Sequence, residues 1–87
     1  MSEGPTQRDD LDVNESADGL IVYDPERDRV HHLNATASLV FELCTGANAD
    51  AEVEALVAAA FPDADAAVVI DEVRRCLVTL RDEGMIS

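Results

Sequence analysis

The 87-residue chain has no lysine and no tryptophan, and it has one tyrosine and two cysteines. Its six basic residues are all arginines and stand against 19 acidic residues, so the net charge at pH 7 is −13. A protein that recognises duplex DNA needs a basic face, whereas an acidic chain repels phosphate groups. The composition therefore predicts that duplex DNA is not bound.

Long apolar runs are also absent. No stretch approaches the ~20 apolar residues that a membrane-spanning helix needs, and the opening MSEGPTQRDD lacks the apolar region of a signal peptide. Cys44 and Cys76 form no CxxC pair, which favours two small buried side chains in a reduced compartment. We expect a cytoplasmic protein without membrane contact, consisting of one domain too small for a catalytic cleft between subdomains.

The first third of the chain predicts strands. Residues 1–10 are polar, contain Gly4 and Pro5 and show no periodicity, so a flexible tail is expected there and a domain over 11–87. LDVNE (11–15) alternates apolar and polar residues, which is a weak strand signal. GLIVY (19–23) is rich in β-branched residues and predicts a strand more strongly. DPERD forms a turn, and RVHHL (29–33) returns as the partner strand of a hairpin.

Three helices are predicted after the strands. Asn34 is placed to cap the first helix, which Gly46 is expected to end. Asn48 or Asp50 is expected to cap the second helix, and the third runs from about residue 65 to 83, before a glycine. Three strands followed by three helices predict an α+β domain.

The third helix has an apolar stripe with a cationic border. A core-facing stripe is formed by Val69, Val73, Cys76, Leu77 and Leu80. Beside it lie Arg74, Val78 and Arg81, with Ile70 and Leu77 between the two sets. The border is either the edge of a binding groove or an ordinary solvated flank, and the pattern alone leaves both open.

The adjacent residues His31 and His32 raise the question of metal binding or catalysis. Neighbours on a strand point to opposite faces, so the pair cannot readily hold one ion, and no other Cys or His completes a set at familiar spacing. No nucleophile and base can be assembled around them. We therefore predict no metal, no cofactor and no catalysis, with one histidine packed and the other facing solvent or a ligand.

DGLIVYDPERDRVHHLNATASLVFELCTG, followed by a short helix and IDEVRRCLVTLRDEGMI, resembles the PqqD-like proteins, also called RiPP recognition elements. The likeness covers about residues 11–87. It implies a winged-helix-like fold, a three-stranded antiparallel sheet followed by three helices. It also implies a non-catalytic protein that binds the leader of a ribosomally made precursor peptide and presents it to a maturation enzyme, either a radical SAM protein or a leader peptidase.

The resemblance also implies where the leader binds. The leader adds as a strand beside the third strand, in the groove between that strand and the third helix. Because Arg74 and Arg81 are among the few cations beside an apolar groove, we expect acidic leader residues to pair with one of them. The residues expected at this site are Arg29, Val30, His31, His32 and Leu33 on the strand, and Ile70, Arg74, Leu77, Val78 and Arg81 on the helix. Two alternatives are a small assembly or inhibitory subunit that binds a partner's strand in the same groove and, against the charge, a winged-helix DNA-binding regulator.

Overall fold

The structure, a computed structural model, describes residues 4–87 as three strands followed by three helices. The elements are β1 (Asp12–Ser16), β2 (Gly19–Asp24), β3 (Arg29–Leu33), α1 (Ala35–Leu43), α2 (Asp50–Ala60) and α3 (Ala66–Asp82). This order confirms the predicted α+β class. Within residues 4–87, no helix combines the length and the apolar character needed to cross a bilayer.

The sheet is antiparallel in the order β1-β2-β3, so β2 is central and both other strands are edges. Burial along β2 alternates because successive side chains point to opposite faces, and Leu20, Val22 and Asp24 are the buried set. Gly19 opens β2 where the chain crosses close to the end of β3. A Cβ at Gly19 would lie 2.1 Å from the carbonyl oxygen of Leu33, and its φ of 155° favours glycine.

The helices contribute most of a single apolar core on one side of the sheet. Buried in it are Leu20, Val22, Val40, Phe41, Cys44, Val53, Val57, Val69, Val73, Leu77, Leu80, Met85 and Ile86. The predicted stripe of α3 is confirmed, since four of its members are buried and Cys76 packs half-buried against the core. The core therefore fixes the rotation of α3 about its own axis.

Helix caps explain where the helices begin. The Asn34 Oδ1 accepts a hydrogen bond from the Ala37 N–H at 2.8 Å, which confirms the predicted cap. The predicted cap of α2 is wrong: the Asn48 side chain donates to the Leu43 carbonyl oxygen at 3.0 Å instead. The helix α2 begins at Asp50 after Ala49, whose own N–H donates to the Glu52 Oε1 at 3.2 Å. The first helix likewise ends at Leu43, before the predicted Gly46.

The N-terminal segment is part of the folded domain. Pro5 is buried, the Gln7 N–H donates to the Cys44 carbonyl oxygen at 2.9 Å, and the Arg8 N–H donates to the Met85 carbonyl oxygen at 3.1 Å. The prediction of a flexible tail is therefore wrong for residues 4–8, while residues 1–3 lie outside the described residues. Irregular backbone pairing of this kind leaves no periodic signal in the sequence.

A buried ion pair anchors this segment to the hairpin. Asp24 is fully buried at the end of β2, and the Arg8 guanidinium donates to both of its oxygens, at 2.8 and 3.1 Å. The hydrogen bond from Arg8 lowers the pKa of Asp24 below its usual value. The same carboxylate accepts the N–H groups of Glu26 and Arg27 in the turn, at 3.0 and 3.2 Å. One side chain thus fixes both the turn into β3 and the N-terminal segment.

Candidate functional site

The two edges of the sheet differ in how far they are protected against an added strand. Glu15 on β1 pairs with the core residue Leu20, so its carboxylate lies on the helix side of the sheet, beside a depression of about 300 Å³ that Glu42 also lines. An inward-pointing charge is a common way to block pairing at an edge. The β3 edge (Arg29–Leu33) carries no acidic residue. An added strand would therefore bring its side chains against the Glu15 carboxylate at β1, whereas β3 presents no carboxylate.

The register of β3 decides which of its side chains face the helices. His31 pairs with the buried Val22, so it points to the helix side, whereas His32 pairs with Ile21 and is exposed on the other face. The predicted division of the two histidines is confirmed. Val30 shares the outer face and is 55% exposed. The Nε2 atom of His31 is buried and has no hydrogen-bond partner among residues 4–87.

One end of the gap between β3 and α3 is closed by polar contacts. The Arg29 Nη1 lies 3.0 Å from the Glu83 Oε2, and the Arg27 Nη1 donates to the Glu83 carbonyl oxygen at 2.8 Å. Because Glu83 caps the C-terminal end of α3, these contacts tie the start of β3 to the end of α3. Asn34, just past the other end of β3, shares a depression with Glu72 and Cys76 earlier in α3, so the helix runs beside β3 in the opposite direction.

The other end of the gap is open. Just past the end of β3, between the start of α1 and α3, lies a depression of about 340 Å³, lined by Asn34, Thr36, Ala37, Glu72, Arg75, Cys76 and Thr79. Glu72, Cys76, Thr79 and Glu83 follow each other at i, i+4, i+7 and i+11, which places them on one side of a helix. We call the gap between Arg29–Leu33 and these four α3 residues the β3–α3 groove.

The predicted cationic border lies on the other flank of α3. Arg74 Nε is 3.1 Å from Glu54 Oε2, and Arg81 Nη2 is 2.8 Å from Asp50 Oδ1, and both carboxylates belong to α2. Ile70 lies one turn before Arg74 on the same flank. Ile70, Arg74 and Arg81 thus lie on the α2 flank of α3, away from the β3–α3 groove, and their predicted part in peptide binding stays a prediction. These arginines join two helices, and the hydrogen bond from Arg81 lowers the pKa of Asp50.

Leu77 and Val78 have different environments although they are neighbours. Leu77 is 2% exposed and belongs to the core, so its predicted contact with a peptide is wrong. Val78 is 57% exposed on the solvent side of α3, where it shares a shallow depression of about 380 Å³ with Arg74, Arg75 and Thr79. A role for Val78 in peptide binding stays a prediction.

Sequence reasoning missed Glu72, Cys76 and Thr79 as groove residues. Cys76 was assigned to the core, yet it is half-buried and lines the groove. Burial raises the pKa of the Cys76 thiol and raises that of the fully buried Cys44 to about 11, so both thiols are protonated at neutral pH. Among residues 4–87, no three His, Cys, Asp or Glu side chains are arranged to hold a metal ion.

Comparison with known proteins identifies the family. The family described as Coenzyme PQQ synthesis protein D (PqqD) matches residues 19–86. The chain belongs to the PqqD family. The match includes β2, β3 and all three helices, and hence every element of the β3–α3 groove. The family predicted from the sequence is thus confirmed.

A solved structure shows the same fold as this PqqD-family chain. TbiB1, solved in complex with the TbiA(beta) leader peptide, superposes with a TM-score of 0.78 at 16% sequence identity, over 94% of each chain. The superposition confirms the predicted winged-helix-like arrangement. No curated protein matches the chain.

Proposed function

We propose that this PqqD-family protein binds the leader of a ribosomally made precursor peptide by strand addition to β3. It holds the leader for a maturation enzyme and performs no chemistry itself. The observation that carries this proposal is an edge strand, β3, with no acidic residue on it and a groove beside it. TbiB1, which shares the fold, was solved with a leader peptide bound.

Strand addition suits the chemistry of β3. One side of β3 pairs with β2, and the N–H and C=O groups that point the other way are available to another chain. A short strand has few such groups, so side chains in the groove must supply part of the affinity and most of the selectivity. The β1 edge offers the same backbone groups, but Glu15 would be desolvated against the side chains of an added strand.

The groove gives the bound peptide two faces. An antiparallel strand along Val30–Leu33 would alternate its side chains. One set would enter the groove between His31 and the α3 wall at Cys76 and Thr79. The other set would lie on the outer face of the sheet beside Val30 and His32. That outer set stays accessible, so a maturation enzyme could contact the leader while it is bound.

The absence of catalysis is part of the proposal. Both thiols are protonated at neutral pH, and the histidines point to opposite faces of one strand. The maturation enzyme, a radical SAM protein or a leader peptidase, follows from the family resemblance. A short precursor reading frame beside the gene would identify the cognate leader.

Cys76 provides a direct test of the proposed site. N-ethylmaleimide should label the half-buried Cys76 slowly and the fully buried Cys44 far more slowly. A synthetic leader from the neighbouring precursor should slow Cys76 labelling further, in proportion to the bound fraction measured by calorimetry. Peptide mapping by mass spectrometry separates the two sites. Binding with an unchanged Cys76 rate would mean that the leader lies elsewhere on the domain.

A matched pair of variants tests the α3 wall independently. Thr79 and Val78 are both exposed neighbours on α3, but only Thr79 lines the depression at the end of β3. Thr79→Arg should block the strand and abolish leader binding, whereas Val78→Arg should weaken it less. Equal effects would place the peptide over the top of α3 rather than between α3 and β3. If no encoded peptide binds but a protein partner protects Cys76, the assembly-subunit function replaces the proposal.

A further inference from the structure

All six arginines of the chain already have an acceptor. Five contact carboxylates, in the pairs Arg8–Asp24, Arg29–Glu83, Arg74–Glu54, Arg75–Asp71 and Arg81–Asp50. The sixth, Arg27, donates to the carbonyl oxygen of Glu83 at 2.8 Å. Each guanidinium is thus at least partly neutralised by a contact within the protein, and the chain has no lysine that could attract a carboxylate of a bound peptide instead.

The groove itself offers a carboxylate. Glu72 lines the depression at the open end of the groove, is exposed, and makes no hydrogen bond or ion pair with any other side chain of residues 4–87. Its neighbour Arg75, which lines the same depression, is directed to Asp71 one turn away. The uncompensated charge at this end of the groove is therefore negative.

We infer, on the basis of the proposed function, that the leader bound by this protein is cationic, and that a lysine or arginine of the leader pairs with Glu72. The depression that contains Glu72 also contains Asn34, which follows the last residue of β3. A strand antiparallel to β3 enters at that end, so the cation belongs near the amino-terminal end of the bound segment. This replaces the expectation that acidic leader residues meet Arg74 or Arg81, since both are engaged with α2.

The net charge of −13 acts in the same direction over a longer range. Charge complementarity between partners mainly raises the association rate and excludes partners of the wrong sign. Because the Debye length is about 8 Å at physiological ionic strength and shorter at high salt, the attraction must weaken as salt is added. A direct contact with Glu72 adds a preference for a cation at one position of the peptide, which the net charge of the protein cannot supply.

Selection from a display library of randomised short peptides tests the inference without a known leader. Full-length protein is used as bait at low and at high salt. A parallel selection on the Thr79→Arg variant identifies peptides that bind outside the groove, and these are removed from the set. Groove-dependent peptides should be enriched in lysine and arginine, and synthetic copies should bind more weakly at high salt. Glu72→Gln should weaken them by roughly two- to fivefold, as expected for an exposed ion pair.

Glu42→Gln is the matched control. Glu42 is also an exposed helical glutamate, but it lies on α1 beside the β1 edge, so its loss changes the net charge equally without touching the groove. The inference would be overturned if the groove-dependent peptides were neutral or acidic, or if Glu72→Gln and Glu42→Gln weakened peptide binding equally. Either result would leave the proposed function standing. If no selected peptide is sensitive to Thr79→Arg, the proposed function fails and the inference fails with it.

Discussion

Replacing Leu77 and Val78 separately with alanine tests how α3 is rotated against the rest of the domain. Leu77 is 2% exposed and Val78 is 57% exposed. Truncation of a buried leucine to alanine costs about 2–5 kcal/mol, because apolar contacts are lost and a cavity remains. A domain of 87 residues has a free energy of unfolding of only about 4–13 kcal/mol at ~0.05–0.15 kcal/mol per residue. Leu77→Ala should therefore remove a large share of the total, whereas Val78→Ala should change it by less than ~0.5 kcal/mol.

Urea unfolding followed by circular dichroism measures the difference. Small domains have m values of about 1–3 kcal/mol per molar urea, so Leu77→Ala should lower the midpoint by roughly 1 M or more. Leu77→Met, which conserves volume, should cost less than ~1.5 kcal/mol and keeps the comparison possible if the alanine variant does not fold. The rotation of α3 described above would be refuted if Leu77→Ala left the midpoint unchanged and weakened leader binding instead.

Three further predictions concern the ion pairs and the N-terminal segment. The pKa of Asp24 is lowered by Arg8, so its ionised form contributes stability above the ordinary aspartate pKa of ~3.9, and this contribution disappears as the pH falls through the depressed value. Asp24→Asn should accordingly lower the urea midpoint at neutral pH, and the midpoint of this variant should fall less than that of the wild type as the pH is lowered. Parallel pH profiles for the wild type and the variant would contradict this. Removing residues 1–8 should lower the thermal midpoint, because Pro5 is buried and the segment is hydrogen-bonded to Cys44 and Met85. A flexible tail would leave the midpoint unchanged. Arg74→Ala should leave leader affinity unchanged in calorimetry, since this side chain bonds Glu54, and a severalfold loss would restore it to the binding site.

The sequence carried enough information for the three strands, the three helices and the core side of α3. The cap at Asn34 is a local interaction between residues three positions apart, so it can be recognised without the fold. The alternation of His31 and His32 follows from strand geometry alone, although only pairing with β2 determines which of the two faces the helices. The core side of α3 likewise follows from the spacing of its apolar residues.

The flanks of α3 could not be assigned in the same way. Periodicity places Arg74 and Thr79 on opposite sides of one apolar stripe, but it does not say which side meets α2 and which meets β3. That choice depends on how the three helices pack on the sheet, and hence on contacts between distant residues such as Arg74 and Glu54. The N-terminal segment escaped prediction for a related reason, since its partners, Cys44 and Met85, lie far along the chain.

The unequal edges of the sheet also bear on self-association. If both edges were open, β3 of one copy could pair with β1 of the next, and such a head-to-tail contact repeats from copy to copy and builds a ring or an open filament. Glu15 on the helix side of β1 removes that route. The remaining pairing, β3 with β3, is two-fold symmetric and stops at a dimer. Such a dimer would occupy the same edge as a ligand, so peptide and self-pairing would compete, and added peptide would convert any concentrated dimer into monomer.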